Sequence, residues 1–164
     1  MIEEKISVSI LTMSDRGSKG ERDDFSGRTV KESLDPTLYK VVEYDIIPDD
    51  SETIVSKLKD YSEKSDLILT TGGTGLSPRD FTPEATLKVI DREVPGIAEA
   101  MRNHSMQYTN RAMLSRAVAG VRKECLIINL PGSPKAAKEN LEAILGTIPH
   151  AVEKIKGSKE ECAR

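Results

Sequence analysis

The apolar residues of this chain follow two patterns that together predict alternating strands and helices. Continuous apolar runs bounded by turn residues are typical of strands that are buried on both faces of a parallel sheet. They predict strands over residues 66–71 and 126–130, and apolar-rich stretches bounded by turn residues predict two more strands over 6–13 and 39–47. Apolar residues three and four positions apart are typical of helices. This second pattern predicts helices from 26 to before Pro36, from 51 through 61, over 82–91, through 98–104, over 134–145 and over 149–155.

The alternation predicts an α/β fold with a mostly parallel, doubly wound sheet, whose active crevice lies at the carboxyl ends of the strands. At 164 residues and 18.0 kDa, the chain fits one domain over 1–164, with 156–164 as a flexible, solvated tail. Residues 14–24 are predicted to form a polar loop. For residues 105–121 two interpretations stay open, an irregular arm or a short pair of strands.

Charge and composition argue against nucleic-acid and membrane partners. The formal net charge is −3, the sequence pI is about 5.5 and the basic residues are dispersed, so no positive surface is predicted. No apolar run approaches the roughly 18 residues that span a bilayer, and the acidic N-terminal stretch does not fit a signal peptide. A cytoplasmic protein is expected. Cys125, at the start of an apolar run, and Cys162, in a charged tail, do not suggest a disulfide framework.

Two glycine-rich turns, each directly after a predicted buried strand, are the most informative feature of the chain. The first turn contains Gly72, Gly73, Thr74 and Gly75, and the second contains Pro131, Gly132 and Ser133, followed closely by Lys135. Glycine has no Cβ that would hold a phosphate away from backbone N–H groups, so two such turns predict a phosphate-bearing substrate. The first turn lacks the ending of a Walker A loop and the third glycine of the dinucleotide fingerprint. The alternative is that its glycines only supply a tight turn.

Carboxylates follow the second and third predicted strands. Asp49 and Asp50 come after the strand over 39–47, and Asp80 follows the first glycine turn. Because strand ends converge in a doubly wound sheet, Asp49 and Asp80 could together hold Mg²⁺ on a nucleotide. The alternative is capping, in which Asp49 or Asp50 caps the next helix and Asp80 accepts backbone N–H groups. Thr82 is predicted to be the N-cap of its own helix, with a proline at the first helical position.

Two further polar groups are candidates for binding an anionic substrate. Ser14, Asp15 and Arg16 follow the first strand and offer a hydroxyl, a carboxylate and a guanidinium at the same edge of the sheet. The alternative for them is an ordinary polar turn. Ser115 and Arg116 could contact an anion or could simply lie at the surface.

Taken in order, the motifs of the chain resemble those of a known family. They are Ser14-Asp-Arg16, Pro48-Asp49, Thr70-Thr-Gly-Gly-Thr-Gly75, Pro78-Arg-Asp80, Thr82-Pro-Glu-Ala-Thr86, Pro95-Gly96, Leu114-Ser-Arg116 and Asn129-Leu-Pro-Gly132. This set, spread from Ile6 to Ile155, resembles the MogA/MoaB-type molybdopterin adenylyltransferases. The stretch after Ser14 is similar to the MogA branch, whereas Asp24-Phe-Ser-Gly27 is similar to the MoaB branch.

The resemblance implies a three-layer α/β/α domain that assembles as a homotrimer and catalyses a Mg²⁺-dependent reaction. In that reaction ATP and molybdopterin give adenylyl-molybdopterin and pyrophosphate, and a downstream metal-insertion protein then uses the product with molybdenum or tungsten. By the same matching, Asp49 and Asp80 fall on the acidic positions for catalysis or Mg²⁺ placement. The glycines from Gly72 to Gly75 fall on the nucleotide-phosphate loop. The implied substrate pocket comprises Ser14, Asp15, Ser115, Arg116, Gly132 and Ser133.

Two other functions stay open at this point. Some members of the family bind molybdopterin without transferring adenylate, or serve as one module of a larger scaffold, although the presence of both Asp49 and Asp80 favours an enzyme. The glycine turns alone also suit a generic nucleotide-binding or phosphate-ester-hydrolysing α/β protein. Only the adenylyltransferase needs both ATP and molybdopterin to form pyrophosphate.

Overall fold

Six strands form one mixed sheet in the computed structural model, which describes residues 4–159 and 161. They are β1 (Ile6–Met13), β2 (Tyr39–Ile47), β3 (Leu67–Thr71), β4 (Arg92–Glu93), β5 (Ala119–Arg122) and β6 (Cys125–Leu130). Their spatial order is β2-β1-β3-β6-β5-β4. Strands β2, β1, β3 and β6 run parallel, whereas β5 is antiparallel to both β6 and β4.

Helices cover both faces of this sheet. They are α1 (Asp15–Ser18), α2 (Phe25–Glu32), α3 (Ser51–Ser62), α4 (Thr82–Val89), α5 (Pro95–Ser105), a 3₁₀ helix (Asn110–Leu114), α6 (Pro134–Ile144) and α7 (Ile148–Ile155). Helices α2, α5, α6 and α7 pack on one face, and α3 and α4 pack on the other. The result is a three-layer α/β/α arrangement.

Side chains that alternate along each strand supply the two cores. In β3, Leu67 and Leu69 pack into one cluster while Ile68 packs into the opposite one, and in β6 Ile127 and Ile128 divide in the same way. All five side chains are fully buried. Each contributes on the order of 1.5–3 kcal/mol by its removal from water. Burial on both faces explains why these strands have continuous apolar sequences.

The predicted fold class is confirmed, with differences in two connections. The polar loop predicted over 14–24 is wrong in part, because α1 forms there and the Ser14 hydroxyl accepts the Gly17 N–H at 2.9 Å as its N-cap. The segment over 105–121, left open by the sequence, holds the end of α5, the 3₁₀ helix and β5. Strand β5 pairs with β6 and β4 rather than with a strand of its own segment.

The C-terminal part of the chain is fixed to the sheet up to the end of α7. At the start of the tail predicted over 156–164, Lys156 Nζ contacts the Asp66 carboxylate at 2.7 Å. Residues 160 and 162–164, with Cys162 among them, lie outside the described residues. Within the described part of the chain, no helix combines the length and apolar character needed to cross a membrane.

Candidate active site

The carboxyl ends of β1, β2, β3 and β6 meet at one edge of the sheet and border a cleft of about 410 Å³. Backbone hydrogen bonds tie these ends together, since the Ser14 N–H donates to the Ile47 carbonyl at 2.8 Å and the Gly72 N–H donates to the Leu130 carbonyl at 3.3 Å. Predicted site residues from four separate turns line this cleft, namely Ser14, Asp49, Gly72, Gly73, Asp80, Gly132 and Ser133. The topology thus gathers residues that are up to 119 positions apart in sequence.

The first glycine turn approaches its neighbours too closely for a side chain. Gly72 has a φ of +94° and Gly73 a φ of +70°, in the left-handed region that favours glycine. A Cβ on Gly72 would lie 2.5 Å from the Met13 carbonyl oxygen, and one on Gly73 would overlap the Thr82 hydroxyl. Backbone alone therefore lines the cleft here, as a turn that binds phosphate requires. The same glycines supply a tight turn, so that interpretation is confirmed, and it is compatible with phosphate binding at the same backbone.

Asp49 is held at the cleft by a reciprocal pair of hydrogen bonds with Asp15. The Asp15 N–H donates to Asp49 Oδ2 at 3.1 Å, and the Asp49 N–H donates to Asp15 Oδ1 at 3.0 Å. Arg79 completes the arrangement, because it donates to the two Asp15 carboxylate oxygens at 2.7 and 3.0 Å and to the Asp49 carbonyl at 3.0 Å. Hydrogen bonding from Arg79 lowers the pKa of Asp15 below its ordinary value. The carboxylate of Asp15 is thus engaged within the protein, whereas Asp49 borders the cleft.

Burial and nearby negative charge set the ionisation of Asp49. Burial raises the pKa of the Asp49 carboxyl above its ordinary value. The carboxylates of Asp15 and Asp80 act in the same direction, against the opposing effects of the Asp15 N–H and of Arg79. Asp49 and Asp80 therefore interact electrostatically across the cleft that both line. A cation between them would relieve this repulsion.

The two carboxylates fit a magnesium ion that arrives with a nucleotide. The described residues contain no group of three or more His, Cys, Asp and Glu side chains arranged to hold a metal ion. Mg²⁺ is commonly bound by only one or two protein carboxylates together with substrate phosphates. Asp49 and Asp80, beside a bare glycine turn, match that donor set.

The capping alternative applies to the acid next to Asp49. Asp50 is the N-cap of α3, because its Oδ2 accepts the Thr53 N–H at 2.9 Å. Asp80 has a partly local role, since its Oδ2 accepts the Ser77 N–H at 3.0 Å. Asp49 is not the N-cap of α3; its Oδ2 accepts the N–H of Asp15, the first residue of α1, and the residue also borders the cleft.

The prediction that Thr82 caps α4 is wrong. Its hydroxyl donates to the Gly72 carbonyl at 2.9 Å and its N–H donates to the Gly73 carbonyl at 3.2 Å. The N-cap position of α4 is Phe81, which makes no side-chain capping bond. Thr82 is instead hydrogen-bonded to the first glycine turn, and these bonds hold the start of α4 at the cleft.

The second glycine turn packs directly on the first. A Cβ on Gly132 would lie 3.3 Å from the Gly72 Cα, so the two backbones are in contact. Ser133 is the N-cap of α6, and its hydroxyl accepts the Ala136 N–H at 3.1 Å. Pro134 occupies the first turn of α6, where its missing N–H costs nothing. The N-terminus of α6 lies at the cleft, and its dipole favours an anion there.

A second cavity of about 390 Å³ adjoins the cleft. Ser133 lines both spaces, and Pro131 and Ser115 line the second one. Arg102 fixes this wall, because it donates to the Ser115 carbonyl at 3.3 Å and to the Ala117 carbonyl at 2.9 Å. The predicted site residues thus fall into two neighbouring spaces that share one turn.

Six predicted binding residues lie outside the lining of both spaces, namely Asp15, Arg16, Thr74, Gly75, Arg116 and Lys135. Arg116 is used within the protein. Its Nε donates to the Gly75 carbonyl at 2.8 Å, its Nη2 donates to the Asp80 carbonyl at 2.9 Å, and it pairs with Glu84. Arg116 therefore holds the loop that carries Asp80.

Sequence reasoning missed a buried polar cluster at the start of α2. Asp24 is the N-cap of α2, and its Oδ1 accepts the Gly27 N–H at 2.9 Å. Its Oδ2 accepts the Thr12 hydroxyl at 3.0 Å and also the Tyr44 hydroxyl. The available signal was Asp24 three residues before Gly27, a spacing typical of an N-cap. Thr12 and Tyr44 lie on other strands and give no local signal.

Fold and site define an α/β protein whose sheet edge is suited to binding a phosphorylated substrate beside paired carboxylates. The sequence also matches the model of a family described as a probable molybdopterin binding domain, over residues 9–150. The chain belongs to this family.

The following three relatives are similar to this chain over most of their own length. A molybdopterin adenylyltransferase of Helicobacter pylori J99 is 44% identical over 157 residues, covering 93% of this chain and 89% of that protein. The crystal structure of the molybdopterin biosynthesis enzyme MoaB from Thermus thermophilus has a TM-score of 0.88 at 50% identity, covering 93% of this chain and 98% of that one. The tungsten cofactor synthesizing protein MoaB from Pyrococcus furiosus has a TM-score of 0.83 at 33% identity, covering 93% and 98%.

Proposed function

We propose that this chain is a molybdopterin adenylyltransferase, which joins AMP from ATP to the phosphate of molybdopterin and releases pyrophosphate. The single observation that carries the proposal is the meeting of Asp49 and Asp80, from separate connections, in the cleft lined by both glycine turns. The activity is that of relatives 37–44% identical over most of this chain.

The reaction needs positioning and charge neutralisation rather than a protein nucleophile. An oxygen of the molybdopterin phosphate attacks the α-phosphorus of ATP, a new P–O bond forms, and the bond to the pyrophosphate oxygen breaks. Gly72 and Gly73 offer bare backbone to the phosphate oxygens of ATP. The N-terminus of α6, at Ser133, adds a favourable dipole beside them. No covalent enzyme intermediate is required.

Asp49 and Asp80 are the residues that would hold Mg²⁺ with ATP. When bound, Mg²⁺ neutralises phosphate charge as it develops during transfer. Asp49 is oriented for this role by the N–H of Asp15, and the Asp80 loop is held by Arg116. With the nucleotide in the first cleft, molybdopterin would bind in the second cavity, which is lined by Ser115 and Ser133.

The test is pyrophosphate release measured with Mg²⁺, ATP and molybdopterin, each also omitted in turn. Wild type should release pyrophosphate only with all three present. Asp49→Asn and Asp80→Asn should each lower kcat on the order of 10²-fold or more, as does the loss of one well-placed electrostatic group in other enzymes. Asp50→Asn is the matched control, because asparagine is also a good N-cap and Asp50 serves α3.

The outcomes separate the competing functions. Tight molybdopterin binding without pyrophosphate would indicate a binding or scaffold module, and pyrophosphate or phosphate release without molybdopterin would indicate a nucleotide hydrolase. Near-native turnover of Asp80→Asn would remove Asp80 from the mechanism. If Asp50→Asn also lost activity, the lower kcat of the Asp49→Asn and Asp80→Asn variants would be explained by misfolding.

We further propose a homotrimer in the cytoplasm that passes its product to a metal-insertion protein. Exposed apolar side chains support subunit contact near the site, with Leu76, Tyr108, Met113 and Leu114 each more than half exposed in the single chain. The free, buried thiol of Cys125 suits a reducing compartment. Sedimentation of the purified protein as a monomer would contradict the trimer.

A further inference from the structure

Two hydroxyl groups that border the cleft have no role in the function proposed above. The Ser26 hydroxyl is hydrogen-bonded to the Thr71 hydroxyl, and the Thr71 hydroxyl donates to the Pro131 carbonyl at 3.0 Å. Thr71 is fully buried and Ser26 nearly so. We call Ser26, Thr71 and the Pro131 carbonyl the hydroxyl relay. It joins the start of α2, the end of β3 and the second glycine turn.

The hydrogen bonds of the hydroxyl relay can be donated in only one direction, from Ser26 to Thr71 and from Thr71 to the Pro131 carbonyl. A threonine hydroxyl carries one proton, and a carbonyl oxygen can only accept. The Thr71 proton is therefore committed to the Pro131 carbonyl, so the hydrogen bond between the two hydroxyls must be donated by Ser26. Thr71 is the central member, because removal of its hydroxyl breaks both bonds, whereas removal of the Ser26 hydroxyl leaves the bond to Pro131 in place.

The far end of the hydroxyl relay sits on the turn shared by the two cavities. Pro131 lines the second cavity, Ser133 lines both, and Gly132 between them contacts Gly72 with its backbone. A displacement of this turn would change the width of both spaces at once. It would also change the separation of whatever groups they hold.

The near end of the hydroxyl relay is anchored. Ser26 lies two residues after Asp24, whose buried carboxylate accepts the Gly27 N–H, the Thr12 hydroxyl and the Tyr44 hydroxyl. Gly27 is also too close to this carboxylate to accept a side chain. The start of α2 is thus locked to β1 and β2, and Ser26 presents its hydroxyl to Thr71 from a fixed position.

We propose that the hydroxyl relay is a positioning device for adenylyl transfer, which fixes the second glycine turn so that the substrates in the two cavities stand at reacting distance. This inference rests on the proposed function. Ser26 and Thr71 are positioning residues, because they act through the turn and not on the reacting atoms. Misalignment of two bound substrates lowers the rate of the chemical step more than it weakens the binding of either substrate.

The test compares Thr71→Val, which keeps the shape and loses the hydroxyl, with Thr71→Ser, which keeps the hydroxyl. We expect Thr71→Val to lower kcat about tenfold or more while KM for ATP and for molybdopterin each changes by less than about twofold, and Thr71→Ser to restore most of kcat. The kcat of Ser26→Ala should fall less than that of Thr71→Val, and Ser26→Ala serves as a second variant if Thr71→Val does not fold.

Ser9→Ala is the matched control, because Ser9 also donates a buried hydroxyl–hydroxyl bond, to Ser65 at 2.9 Å, away from the cleft. It should be destabilised like Ser26→Ala and keep its kcat. A wild-type kcat in Thr71→Val, or an equal fall of kcat in Ser9→Ala, would overturn the inference.

A second readout does not depend on turnover. Amide hydrogen exchange at Gly132 and Ser133 should become faster in Thr71→Val and not in Ser9→Ala. If wild type forms no pyrophosphate, the proposed function fails by itself. Faster exchange then still supports the hydroxyl relay as the element that fixes the turn, and unchanged exchange overturns it.

Discussion

Replacement of Gly72 by alanine tests whether the first glycine turn is limited by its backbone contacts. Two costs follow from the structure. A non-glycine residue in the left-handed region costs about 1–2 kcal/mol, and Gly72 has a φ of +94°. The new Cβ would also lie 2.5 Å from the Met13 carbonyl oxygen, a backbone atom that cannot rotate away. Overpacking of this kind costs roughly 1–3 kcal/mol. We expect Gly72→Ala to lose about 3 kcal/mol of unfolding free energy.

Two other glycines separate these costs. Gly20 has a φ of +72°, and a Cβ added there would meet nothing within 4 Å, so Gly20→Ala carries only the conformational cost, about 1 kcal/mol. Gly96 lies in the first turn of α5 with open space around it, so Gly96→Ala should be neutral or stabilising by about 0.4–1 kcal/mol.

Urea unfolding of the three variants and wild type measures this order. For a chain of this size, about 3 kcal/mol corresponds to a fall in Tm of roughly 6–12 °C. Gly72→Ala should also lose pyrophosphate formation, whereas Gly20→Ala should keep it. If Gly72→Ala were only as destabilised as Gly20→Ala, the contact with the Met13 carbonyl would impose no constraint, and the reasoning would be refuted.

Two other variants probe polar groups, one partly buried and one fully buried. Because the raised pKa of Asp49 lets the folded protein keep this proton to higher pH than the unfolded chain, stability falls as pH rises from the ordinary value through the raised pKa. Asp49→Asn should therefore resist urea better than wild type at pH 7, with the gain vanishing at acidic pH, and equal midpoints at pH 7 would contradict this. Asn129→Leu should lose about 3 kcal/mol in the same assay, because buried Asn129 donates to the Thr70 and Thr86 hydroxyls and accepts the Val118 N–H. A loss below about 1 kcal/mol would count against these bonds.

Strands β3 and β6 were predictable from their apolar runs, because both faces of each strand are buried. The run of β6, Cys125–Leu130, is an example. Strand β5 was not predictable, because Ala119–Arg122 is short and contains a glycine, and its place depends on pairing with β6 and β4. The two residues of β4 likewise carry no pattern of their own.

Within the site, local patterns located the glycine turns and the acids but did not reveal the hydrogen-bond partners of the neighbouring side chains. Thr82 has the sequence context of an N-cap, yet its hydroxyl donates a hydrogen bond to the carbonyl of Gly72, ten residues earlier. Arg116 has the chemistry to bind an anion, yet the carbonyls of Gly75 and Asp80 occupy its donors. The partner that each of these side chains takes depends on which strand ends lie next to each other in the fold, and the neighbouring sequence does not contain that information.

Because β5 is antiparallel to the other long strands, its first residue, and not its last, lies at the edge of the sheet that carries the cleft. Since β5 runs against β6, it begins where β6 ends, and the Asn129 N–H donates to the Val118 carbonyl at 3.0 Å just before that beginning. Residues upstream of a strand, and not only those downstream, therefore become walls of the second cavity. The segment that carries the 3₁₀ helix lies outside the parallel strands, so a change in its length or sequence would reshape the second cavity and leave the strand ends of the first cleft in place.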